Sequence, residues 1–201
     1  TKAVPSGSFS RQVAAIGGQE NAFTYRDYTM YYELVAKQHL PLALKLEADR
    51  MRNLQFNQED FEKEMQVIQE ERRARTDDDV MGVLHEQLMA TQYLAHPYRN
   101  PIIGWMDDIV NYQKADLMAW YERWYHPNNA VLVVVGDVQP AEVFALAQDA
   151  FGEIPKGPSI QRRDWQEPEI KGARLIKAKA PADLPVFILA YPTLRLTDPK
   201  N

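Results

Sequence analysis

FEKEMQVIQEERRAR, residues 61–75, is the stretch on which the fold reading turns. At 100° per residue, Phe61, Glu64, Met65, Ile68, Glu71, Arg72 and Arg75 fall within one stripe of about 120°. That stripe is expected to face the protein, yet it carries carboxylates where an ordinary helix carries only apolar groups. Glu64 and Glu71 lie two turns apart on it. Each must be solvated at the stripe's edge or held inside by a cation, a donor or a metal. On the helix alone two readings stay open: a charged helix knit by i,i+4 pairs such as Glu71 with Arg75, or a carboxylate-bearing functional face.

The remainder of the chain supplies the setting. Its 201 residues, 45% apolar and 25% charged, are those of a soluble globular protein with a real core. The formal charge of −5 comes without a basic stripe, so no nucleic-acid partner is expected. No apolar run approaches the roughly eighteen residues of a membrane span. With no cysteine, disulfides and thiolate metal sites are excluded, and any metal must use His, Asp or Glu. The chain opens on TKAVPSGSF without an initiator Met or signal peptide and stops at LRLTDPKN after a strand-like run. Both ends therefore read as cut, and a longer protein is expected.

In chain order, Pro5 and Ser6 open a short helix through Ile16, which Gly17 and Gly18 end. Residues 21–25 and 28–35 read as a strand pair turning at Arg26 and Asp27, because aromatic and β-branched residues alternate there. From Leu40 the period becomes helical, with Leu40, Ala43, Leu44, Ala48, Met51 and Leu54 on one face. Further helices are expected over 80–93, from Trp105, from Lys114, and from Pro140 to Phe151. NAVLVVVGD, residues 129–137, reads as a central strand, and 174–179 and 185–191 as two more. The order suits an α+β fold, a largely antiparallel sheet covered by helices. Residues 1–155 are taken as the main α+β domain, 156–172 as a linker, and 173–201 as the truncated start of following strands.

Five blocks, GGQENAFTYRDYT, LALKLEADRM, FEKEMQVIQEERR, HPYRNPIIG and YHPNNAVLVVVGDV, stand in this order over most of residues 8–155. Together they resemble the pitrilysin, insulinase and mitochondrial-processing-peptidase family of zinc metallopeptidases. That family uses an inverted H-x-x-E-H motif, in which two His bind zinc, the Glu is general base, and a distal Glu completes the ligand set. The motif is absent here: His39, His85, His96 and His126 are scattered. The resemblance places it just before Thr1 and the distal Glu roughly seventy-five residues after it.

The resemblance thus implies Glu71 as the third zinc ligand and Glu64 as a second carboxylate near the site, placed to orient a ligand or water. No catalytic residue is assigned within the chain, because the base is expected upstream of Thr1. The strand Asn21, Ala22, Phe23, Thr24 is implied to bind substrate, the peptide adding along it through main-chain hydrogen bonds. The expected activity is hydrolysis of extended or unfolded peptides by a zinc-activated water. This chain alone is expected to be inactive and not to hold zinc. The family also implies a second, similar half, in the same chain or a partner. A non-catalytic scaffold subunit of the same fold, binding peptides or assembling with an active subunit, is the alternative. The blocks favour a bacterial periplasmic or cytoplasmic setting over an organellar one.

Overall fold

A computed structural model describes residues 1–179 and 181–193. The elements are α1 (Ser8–Ala15), β1 (Gln19–Thr24), β2 (Thr29–Leu34), α2 (Leu40–Asn53), α3 (Gln58–Arg72), α4 (Val80–Gln92), α5 (Met106–Asn111), α6 (Lys114–Trp124) and α7 (Pro140–Phe151). A π-helical turn, Arg73–Asp77, follows α3 directly. The chain divides into two compact units: Thr1–Gln66 with Val110–Arg163, and Val67–Ile109 with the described residues from Asp164 onward.

In the first unit, α1 ends where Gly17 takes φ +71°, and the amides of Gly17 and Gly18 bond back to Ala14 and Val13. Gly18 has a second reason to be glycine. A Cβ there would sit 2.9 Å from methyl groups of both Val13 and Val35. The turn delivers the chain to β1, which pairs antiparallel with β2 in the register Gln19↔Leu34 to Thr24↔Thr29. Arg26 and Asp27 form the turn, closed by the Tyr25 amide on the Tyr28 carbonyl at 2.8 Å.

Helix α2 carries most of the buried side chains of this unit: Ala43, Leu44, Leu46 and Ala48. Leu46 lies outside the stripe read from the sequence, so the helix is buried over a wider arc than one amphipathic face. It packs on α7. Its C-terminal end is stitched to α6 by Tyr121, which is buried and whose hydroxyl donates to the Arg50 carbonyl (3.0 Å) and accepts from the Leu54 amide (3.2 Å).

The second unit contains the C-terminal end of α3, the π-helical turn and α4. Asp79 caps α4 by accepting from the Gly82 amide. Gly82 itself lies against the turn, where a Cβ would come within 2.5 Å of the Arg75 carbonyl oxygen.

The α+β class stands, but the sheet is smaller than expected. Among the described residues it contains β1 and β2 alone. The run 129–137 begins in the turn Pro127–Asn129 and continues extended without a ladder, its Val131, Val133 and Val135 exposed by 89%, 72% and 90%. Residues 174–179 and 185–191 likewise carry no ladder. The correction has a plain cause. Apolar β-branched composition favours extended backbone, but a strand exists only where a neighbour takes its N–H and C=O groups, and no described segment pairs with these three. Of the expected segment 173–201, Ala180 and 194–201 lie outside the described residues.

Replacing Tyr121 with Phe deletes both hydroxyl bonds and strands the Leu54 amide. Urea unfolding of the variant is expected to show a loss of about 1–3 kcal/mol.

Candidate functional site

Helix α3 starts with helix-favouring chemistry. The Asn57 side chain accepts from the Asp60 amide at 2.7 Å, Glu59 and Asp60 place negative charge in the first turn, and Gln58 with Glu62 and Glu59 with Lys63 bond at i,i+4. What fixes its rotation is Arg72, whose side chain is 5% exposed. Both terminal nitrogens bond to Glu86 of α4, one of them also reaches the Gly104 carbonyl at 3.1 Å, and Asp77 lies 3.4 Å away. These Glu86 bonds raise the guanidinium pKa, outweighing the opposing effect of burial. Its Nε has no partner.

With Arg72 turned inward, the two carboxylates separate in environment. Glu71 is half-buried, its side chain 39% exposed and paired with Arg75 at 2.8 Å. Glu64 is exposed, as is Arg75, while Phe61, Met65 and Ile68 are half-buried. Both readings of the helix thus find a physical basis. The i,i+4 pair forms, and Glu71 nevertheless keeps part of its carboxylate exposed, paired with an arginine that is itself largely in solvent. Glu70, off the stripe, pairs with Arg73 at the surface.

Glu86 was missed in the sequence. The signal was there, since it is the one carboxylate in VMGVLHEQLMATQ, an otherwise uncharged helix. A lone acid in such a setting asks for a buried cation.

No described group of three His, Cys, Asp or Glu side chains stands ready for a metal ion. His96 accepts from the Tyr98 amide, His126 is buried with Nε2 on the Glu122 carbonyl, and His85 is exposed. The described residues do not by themselves form a zinc site. Among them Glu71 is a half-buried carboxylate paired with the exposed Arg75.

A separate feature, in the first unit, is β1. The closing bond between Tyr25 and Tyr28 sets the alternation of the ladder, so Glu20, Ala22 and Thr24 turn their backbone groups away from β2 toward the free edge. Ala22 is small and exposed, and its amide is taken by the side-chain oxygen of Asn21 at 2.8 Å. Asn21 and Phe23 share the exposed face with Tyr32 and Met30 opposite them. These backbone groups take no partner from β2, and one amide among them is covered by a neighbour's carboxamide.

Residues 1–105 match the family model described as insulinase (peptidase family M16), and 111–201 match that of the peptidase M16 inactive domain. The zinc protease PqqE of Helicobacter pylori is 36% identical over 176 residues, covering 87% of this chain and 40% of that protein. A crystal structure of a protease from Helicobacter pylori superposes with a TM-score of 0.81 at 36% identity, over 84% of this chain and 41% of the other. The periplasmic protease PqqL of Escherichia coli gives 0.74 at 27% identity, over 83% and 19%. The chain thus spans about two fifths of the Helicobacter pylori relative's length.

Glu86→Gln removes the charge that answers Arg72, whereas substituting the exposed Glu70 by Gln touches only a surface pair. Denaturant unfolding is expected to show a loss on the order of 3 kcal/mol for the first and under about 0.5 kcal/mol for the second.

Proposed function

Because the chain belongs to the insulinase family of zinc peptidases, peptidase family M16, we propose that it is part of a zinc-dependent endopeptidase acting on extended or unfolded peptides. Glu71 carries the reading. It lies within the matched region, on the inward stripe of α3, half-buried beside a single exchangeable arginine. In this role Glu71 is the carboxylate ligand, and the two His and the base Glu come from residues outside this sequence. Glu64, one heptad earlier, orients a ligand or water. Zinc, when bound in such a site, supplies an acidified water and polarises the scissile carbonyl.

The free edge of β1 receives the substrate. Ala22 and Thr24 present backbone donors and acceptors, Asn21 releases the Ala22 amide, and Phe23 lies beside the substrate's alternate side chains. Recognition through the main chain demands an extended peptide and tolerates many sequences. A second, similar half, in the same chain or a partner, pairs with this one. By itself this chain holds neither the His pair nor the base, and it does not hydrolyse peptides.

The test is made on the full-length protein carrying this chain, with zinc content and cleavage of an unstructured peptide measured together. Glu71→Gln is expected to lose both stoichiometric zinc and activity. Glu64→Gln is expected to weaken metal affinity or activity by roughly 10–100-fold. A parent that folds, binds no zinc and cleaves nothing would overturn the peptidase reading in favour of a scaffold subunit.

A further inference from the structure

The contact between the hairpin and α2 holds more negative charge than it has cations to answer. Glu33 lies two residues after Tyr31 on the same face of β2, the face that Arg50 of α2 covers, with Glu20 directly across the ladder and with Glu47, the partner of Arg50, beside it. Three carboxylates therefore meet one guanidinium, Arg50. That guanidinium is committed elsewhere. Its Nε donates to one oxygen of Glu47 at 2.9 Å and a terminal nitrogen to the other, and its carbon lies 3.4 Å from the centre of the Tyr31 ring.

Among the described residues, the remaining neighbours bring no positive charge. Tyr31 bonds hydroxyl to hydroxyl with Tyr125 at 2.5 Å, and the Tyr125 phenol is pushed up by burial and by that bond. Ser10 of α1 donates to Glu20 at 2.8 Å but is neutral. Arg50 and Glu47 are largely buried and Glu33 is half-buried, so solvent screens these three only in part, while Glu20 is exposed.

We propose that the hairpin is clamped to α2 by one proton shared between Glu33 and Glu47, and that the clamp loosens when this proton leaves. The protonated Glu33 donates to a Glu47 oxygen that already accepts from Arg50, so a like-charge clash becomes a hydrogen bond. Loss of the proton leaves two carboxylates in contact beside a third. Burial, then Glu47, hold the Glu33 carboxyl at about 8, against the ordinary 4.5.

The sign follows from proton linkage. A carboxyl whose pKa is higher when docked contributes its stabilisation fully below about 4.5, and that contribution is lost as pH rises toward about 8. The clamp is a property of the hairpin and stands whether or not β1 receives a peptide. If it does, the order of the receiving edge becomes pH-dependent.

Amide hydrogen exchange of β1 and β2, corrected for intrinsic rates, tests this on the whole chain from pH 5 to 9. Protection is expected to fall at least about tenfold between pH 5 and 8 and then to level off. Glu33→Gln, a neutral donor of the same shape, is expected to hold protection flat across the range. Glu20→Gln, which removes only the neighbouring charge, is expected to keep a smaller fall. Wild-type protection that does not change with pH overturns the proposal, as does a Glu33→Gln variant with the wild-type fall. Should Glu33→Gln fail to fold, a fall in Glu20→Gln equal to or larger than the wild type's has the same force.

Discussion

A buried guanidinium has to be answered where it lies, and much in the second unit follows from how Arg72 is answered. Glu86, Asp77 and the Gly104 carbonyl reach it from α4, the π-helical turn and the loop before α5. With that residue drawn inward, the angular positions of its helical neighbours are decided. Glu71, 100° away, is left at the boundary between protein and solvent, while Glu64, 80° away but two turns earlier, is exposed. The boundary is where a carboxylate avoids a large desolvation cost while part of it stays in solvent. A fully buried Glu71 would have been consumed by the ionic network. A fully exposed one would have had nothing to hold it in direction.

The hairpin with its turn at Arg26 and Asp27, the helices from Leu40, Val80, Lys114 and Pro140, and the glycine stop after α1 were all legible in the sequence. Each is decided by nearby residues: alternation, helical period, a proline or a glycine in a left-handed turn. The strand expected at 129–137 failed for the opposite reason. NAVLVVVGD states that the segment prefers extended backbone and dislikes water, but a ladder also needs a second segment, and no pattern within nine residues names it.

The site divides in the same way. Glu71 and Glu64 were marked by their stripe, and the resemblance gave them roles. Their different exposures were not readable, because the two positions are only about 20° apart around the helix and differ in what lies beside each along its length. Glu86 offered a faint compositional hint. The excess of acid between β2 and α2 offered none, since Glu20, Glu33 and Glu47 are separated by thirteen and fourteen residues and meet only through the hairpin register and the packing of a helix against it.

Asn21 folding its own carboxamide over the Ala22 amide also bears on what may approach the edge. An open strand is a template for any passing backbone, including that of another copy, and proteins commonly blunt such edges. Here the guard is small and removable. A single stray carbonyl gains little by displacing it, because one hydrogen bond is merely exchanged for another. An extended chain that brings several donors and acceptors in register gains at each neighbouring position at once. Any chain adding there would therefore have to be long enough to gain at several positions at once.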